Sequence, residues 1–230
     1  PASPRAIVAL QGGTGWLTRK PCLAALDATW RQSSAHRHLL YEVLAPALAG
    51  VSFQENLDPF ALVLLAGSAV LDVQRAMAAP AQLDPLLPVM RRTLSSPRGN
   101  HDPRITGELR YLLGEALVLT GHHTEAVQVM TDLAEQMAGH ERAETAIRRA
   151  VTWAGQELRE AGPRGSPESR RAFVRAVRCF RQGLPDEPGI LELTYAAGAA
   201  LENDGQFDAA AREYALLPAK HDRARPAALG

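Results

Sequence analysis

Aromatic residues make up only 5% of this chain, and few segments are rich in Val, Ile, Thr and Tyr. Both shortages argue against sheet-forming strands, whose pleated faces favour those side chains. Cysteine is scarce. Cys22 and Cys179 lie far apart in apolar contexts of helical spacing, which fits buried free thiols and argues against a disulfide scaffold. Neither charge sign is in excess, since 25 Lys and Arg face 25 Asp and Glu. That balance counts against a globally basic nucleic-acid binder or an acidic tail, while leaving local patches open. No uncharged run is longer than residues 59 to 71, between Asp58 and Asp72, which is too short to cross a bilayer and reads as a buried helix. A secretory leader is also missing. Because the chain opens at Pro1 rather than Met, its compartment stays open, with the cytoplasm as the default.

Catalytic and metal-binding patterns are missing too. The seven histidines include His36 and His38, two apart, and His122 and His123 in a tight turn where His123 is expected to pack like an aromatic residue. No HExxH and no paired CxxC appears, so no metal and no cofactor is expected. Residues 12 to 15, GGTG, lack the downstream Gly-Lys-Ser/Thr of a phosphate loop. The QGG that follows a short apolar run faintly resembles the start of patatin-like phospholipases. The only context for a nucleophile elbow, Ala66-Gly67-Ser68-Ala69-Val70, lacks the second glycine and falls inside a helical run. Residues 1 to 19 therefore read as an arm, extended or strand-like, turning into the first helix. Glu141 and Glu144 stand one helical turn apart, where solvation or salt bridging is the ordinary explanation.

What is present is a spacing of small, apolar and aromatic residues. In residues 191 to 217 it comprises Gly198, Leu201, Gly205, Phe207, Ala210, Tyr214 and Leu217. Gly198 and Ala210 are small where two helices must approach, and the larger residues fill the remaining space. Asn203-Asp204-Gly205 ends the first helix, and Asp208 favours the start of the second. The spacing recurs in order at Gly114, Leu117, Gly121, His123, Ala126, Met130 and Leu133. Phe173, Ala176 and Phe180 precede Phe207, Ala210 and Tyr214 by one 34-residue interval, and Pro188 follows. This pattern resembles the tetratricopeptide repeat, a helix-turn-helix unit of about 34 residues. The resemblance covers residues 107 to 217, as repeats over 107 to 140, 141 to 190 (enlarged) and 191 to 217.

The preceding segment reads as two divergent hairpins over residues 20 to 96. Cys22, Leu23, Leu26 and Trp30 recur at helical spacing, as do Leu39, Leu40, Val43, Leu44 and Leu48. Asp58-Pro59, Asp84-Pro85 and Asp102-Pro103 are helix starts. The helix opened by Pro59 is expected to run to about Ala79, with Gly67 and Ser68 admitting a close neighbour, and the one after Asp84 to end near Ser95. Thr124 is the expected N-cap of the second helix of the 107 to 140 repeat. Glu141 to Ala161 reads as one long amphipathic helix, residues 162 to 167 as a linker with a helix start at Ser166-Pro167, and residues 218 to 230 as a tail. The sum is an all-α chain of about ten helices in five antiparallel pairs. By the resemblance, these stack into a right-handed α-α superhelix with a concave groove.

The resemblance also implies where a partner would lie, because the first helix of each repeat lines the groove. Its outward positions here are Glu108, Tyr111, Glu115, Val118 and Leu119, then Arg142, Thr145, Arg149 and Trp153, then Glu192, Tyr195, Glu202 and Asn203. Aromatics with a polar edge make strong anchors. Trp153 has a second reading as core between hairpins. Family members that hold a peptide's terminal carboxylate use Lys, Arg and Asn at positions where this chain has Tyr111, Glu115, Tyr195 and Ala199, so no chaperone-tail clamp is implied. Arg171, Arg175 and Arg178, with Arg170 and Arg181 beside them, form a basic stripe. It reads either as a solvated face or as a dock for an acidic partner or phosphate backbone, and no aromatic is interleaved for single-strand stacking. The expectation is a non-catalytic adaptor that binds a protein or peptide, with an end hairpin available for homodimerisation. The alternatives are the repeat region of a larger enzyme or regulator and, remotely, a hydrolase using residues 12 to 15.

Overall fold

The computed structural model describes residues 20 to 48, 57 to 96, 102 to 162 and 165 to 218. The expected arm with its GGTG, the connector at 50 to 56, the turn at 97 to 101 and all but the first residue of the tail lie outside the described residues. Among the described residues the regular structure includes ten α-helices and a 3-10 turn at Pro80–Leu83, with no strand. No helix among them is long and apolar enough to cross a membrane. The chain divides into two compact units, Pro1–Gly121 and His122–Gly230.

The first unit contains α1 (Lys20–Trp30), α2 (Ser34–Leu48), α3 (Pro59–Gln74), a 3-10 turn (Pro80–Leu83), α4 (Leu86–Ser95) and α5 (Pro103–Leu119). Its centre is α3, which touches α1, α2, α4 and α5. A helix apolar on every side must be surrounded, and α3 is buried at each position from Phe60 to Ser68. Asp58 caps it by accepting from the backbone N–H of Phe60 and Ala61, and Asp102 caps α5 in the same way through Arg104. Gly67 lies under the Tyr41 ring, so close that a methyl group there would collide with it. Ser68 Oγ donates to the Tyr41 carbonyl at 3.0 Å. Two expectations need correction here. The helix opened by Pro59 stops at Gln74 rather than near Ala79, because Ala76 adopts φ 57° and the Met77 N–H reaches back to Asp72 O at 2.8 Å. Asp84 supplies no side-chain cap, since Pro85 holds the N-cap position of α4.

The second unit contains α6 (His123–Gln136), α7 (Ala143–Ala161), α8 (Pro167–Gly183), α9 (Ile190–Asn203) and α10 (Phe207–Tyr214). Each packs on the helix that follows it, and α6 also touches α8. These helices are amphipathic: α8 buries Phe173, Ala176, Val177 and Phe180 while Arg171, Arg175 and Arg178 face out. Ser166 caps α8 by accepting from the Ser169 N–H. At the α9 to α10 joint Gly205 takes φ 73°, and the Gln206 N–H bonds to Leu201 O at 2.9 Å. This left-handed termination is the one the Asn-Asp-Gly pattern implied. The Tyr214 ring rests directly on Gly198, where any Cβ would overlap it.

Three corrections concern this unit. Thr124 does not cap α6, whose N-cap is His122; its hydroxyl donates instead to Glu157 Oε1 at 2.8 Å. The long helix starts at Ala143, with Arg142 as its N-cap. His123 is exposed and Phe207 is 67% exposed, so neither packs as a core aromatic. The buried members of the same spacing are Ala126 and Met130, and Ala210 and Leu217.

Candidate functional site

A groove of about 1110 Å³ runs along the second unit. One wall is α7, which presents Arg148, Thr152, Gly155 and Arg159 in a row of i, i+4, i+7 and i+11, flanked by Val151 and Leu158. Such a row keeps to one face of a helix. The other wall is α9, presenting Glu192, Leu193, Tyr195, Ala196, Ala199 and Asn203. Phe173 and Phe180 of α8 form the floor, both buried to within a few per cent. The walls are thus largely alanine, glycine and aliphatic surface, with aromatic edges beneath.

Ion pairs fix the two ends. At one, Arg148 Nη2 donates to Glu187 Oε2 at 2.8 Å and to Glu144 Oε1 at 3.0 Å. The Glu187 carboxyl is held below the ordinary range by the Arg148 guanidinium, whose own pKa is raised chiefly by Glu187 and then by Glu144. At the other end Arg170 donates to Asp204 Oδ1 through Nε (3.2 Å) and Nη2 (3.0 Å). The Asp204 carboxyl is lowered by Arg170 first and by Gln206 second. Tyr195 is steadied by Tyr214, with ring centroids 5.6 Å apart. Burial, together with the bond Tyr214 donates to Glu202 Oε2 at 3.0 Å, pushes the Tyr214 hydroxyl up to about 12.

Among the residues expected to line a groove, Tyr195, Glu192 and Asn203 do line this one. Glu202 is exposed beside it and is occupied by Tyr214. Arg149 and Trp153 lie on another flank of α7, half-buried, with the guanidinium carbon 5.8 Å from the ring centroid. Arg142 sits half-buried at the start of α7, its N–H donating to His140 Nδ1 at 3.1 Å. Glu108, Tyr111 and Glu115 face inward instead of lining an open wall. Glu108 is 0% exposed, accepting from the Tyr41 hydroxyl at 3.1 Å and from Arg37 Nη1 at 3.5 Å. Glu115 accepts from Gln74 Nε2 at 2.8 Å, and Tyr111 is 6% exposed. The physical reason lies in α5, which packs on both α3 and α4 and so has little face left for solvent.

The basic stripe is a set of clamps. Arg175 donates to Asp132 Oδ1 at 2.6 Å and also bonds Glu135, joining α8 to α6. Arg178 Nε and Arg181 Nη1 donate to the two oxygens of Glu213 at 2.6 and 2.8 Å, joining α8 to α10. Burial pushes the Glu213 carboxyl up, but its bonds from Arg181 and Arg178 outweigh this and leave it below the ordinary range. Of the three stripe residues only Arg171 is exposed with no ion pair among the described residues.

The α7 row and the clamp acids were not recognised from sequence, although a signal existed for both. The row follows helical spacing. The clamps join residues 32 to 43 positions apart, close to the repeat length, so sorting opposite charges at that separation would have found them. Among the described residues no group of three or more His, Cys, Asp or Glu could hold a metal ion. Burial pushes the Cys179 thiol up to about 11, which leaves it protonated and inert. No family model, no curated protein and no solved structure matches this chain.

Proposed function

We propose that this chain is a non-catalytic protein-binding module of the tetratricopeptide type, its helices stacked as a right-handed superhelix, and that the groove between α7 and α9 receives a segment of a partner protein. The observation that carries this reading is the groove itself, about 1110 Å³ and open along two parallel-running walls of small and aliphatic residues. Such a surface offers apolar contact with little side-chain ordering cost, as peptide grooves do. Close approach of α9 and α10 at Gly198 and the sequential packing of α6 to α10 support the repeat architecture.

The test is selection of a displayed library of random dodecapeptides against the full chain and against an Ala199→Trp variant that fills the groove. Both chains are checked for equal helicity by circular dichroism. Peptides retained by the unmodified chain and lost by the variant support the reading. Peptides that bind both equally, or an absence of any enriched peptide, overturn it.

A further inference from the structure

Resting on that reading, we infer that the groove is electrically polar and selects a partner segment carrying a carboxylate at the end where α7 finishes. The direction of the groove follows from its ties. Arg148 bonds Glu187, three residues before α9 begins, so the starts of α7 and α9 lie together. Arg170, in the first turn of α8, bonds Asp204, just after α9 ends, and also Gly165 O. Gly165 in turn lies against Leu158. The last turn of α7, the first turn of α8 and the end of α9 therefore share the far end.

The charges at the two ends differ in sign and in how far they are already satisfied. At the far end Arg159 is exposed, lines the groove and has no ion-pair partner among the described residues. Beside it Asn203 is exposed and lines the groove, while Arg170 is held by Asp204. At the near end Arg148 is committed to Glu187 and Glu144, and Glu192 is exposed with no ion-pair partner among the described residues. The groove thus offers one available cation at one end and one available anion at the other. Glu192 and Asn203 are eleven positions apart on α9, which places the ends about 16 Å from each other at 1.5 Å per residue.

A segment that fills the apolar middle would bring an Asp or Glu to Arg159. It would bring a Lys or Arg to Glu192 about five residues away if extended, or about eleven if helical. Arg159 is well suited to the first role because a guanidinium presents a planar fork to a carboxylate. Gly155, one turn before it, leaves the approach open: the Arg159 Nη1 and the Phe173 ring edge stand 3.5 and 3.7 Å from where a Cβ would be.

The same dodecapeptide library is selected in parallel on the full chain, on Arg159→Glu and on Arg159→Gln, and one enriched peptide is then titrated by fluorescence anisotropy against all three. The unmodified chain is expected to enrich sequences acidic at one end, and Arg159→Glu to lose that bias and weaken the chosen peptide about tenfold. For Arg159→Gln the weakening should be about three- to fivefold, as suits a partly exposed pair. Groove-dependent peptides with no acidic bias, or equal affinity for all three chains, overturn the polarity while leaving the groove reading intact. Failure to enrich any peptide that Ala199→Trp loses overturns both.

Discussion

The two units solve the problem of burying helices in opposite ways. In the first, one helix that is apolar on all sides takes the centre and α1, α2, α4 and α5 gather on it. In the second no helix is apolar on all sides. Its helices are amphipathic: α8 packs its apolar stripe among α6, α7 and α9, and its charged face bonds α6 and α10. The first unit depends on its interior, including a buried charged group, while the second is held by packing plus clamps at the surface. A surrounded helix has no surface left for a ligand. A row of amphipathic helices can leave a groove between two of its members, and α7 and α9 line one.

The largest expected effect tests the interior of the first unit. Glu108→Ala removes a fully buried carboxylate that accepts from Tyr41 and from Arg37, itself 4% exposed and stacked 4.4 Å over the Trp30 ring, and should cost about 3 to 5 kcal/mol, read by urea denaturation. A loss under about 1 kcal/mol would mean that water or other groups take over the bonds of the carboxylate. Next come the two close approaches, one in each unit. Gly67→Ala and Gly198→Ala each force an aromatic ring off its seat, and each should cost about 1 to 3 kcal/mol. If only Gly67→Ala does so, the row of helices yields where the gathered bundle does not.

The clamps should matter less. Glu213→Gln leaves Arg178 and Arg181 with a weaker acceptor and should cost about 1 to 2 kcal/mol. Arg175→Ala, on an exposed pair, should cost under about 1 kcal/mol. Acid should reveal the same difference. The carboxyls of Glu187, Asp204 and Glu213 titrate below their ordinary values when folded. The unfolded chain then takes up protons first as pH falls, so this stabilisation is complete above about pH 5 and is lost progressively below about pH 4. Hydrogen exchange from pH 7 to pH 3 should show protection falling sooner in α8 to α10 than in α3. The smallest effect is a gain. Ala76→Gly removes the strain of a left-handed alanine and should stabilise by up to about 1 kcal/mol, measured by thermal melting.

What the sequence made legible was local or periodic. Asp58, Asp102 and Ser166 cap as their types and positions suggest, because a capping oxygen needs only residues two or three positions on. Gly198 and Gly205 could be read because close approach and a left-handed turn each leave glycine as the cheapest choice. The end of α3 was illegible for the same reason reversed. Ala76 adopts a conformation that gives alanine no advantage, so no residue type announced the stop. Glu108 looked like an outward acid because its partners, Arg37 and Tyr41, lie 71 and 67 positions away, beyond any helical period. On α7 the resemblance points to Arg149 and Trp153, whereas the groove runs past Thr152 and Gly155, which have little bulk to advertise it.

The grip of Glu213 has a consequence for which exchanges α10 will tolerate. Its carboxylate is 4% exposed at the side chain and spans two guanidinium groups at once, one oxygen to each. Aspartate carries the same charge on a stem one methylene shorter, so it would meet one arginine or hang between them. The reach of the acid, more than its sign, decides whether the closing helix of this unit is pinned at two points or swings from one.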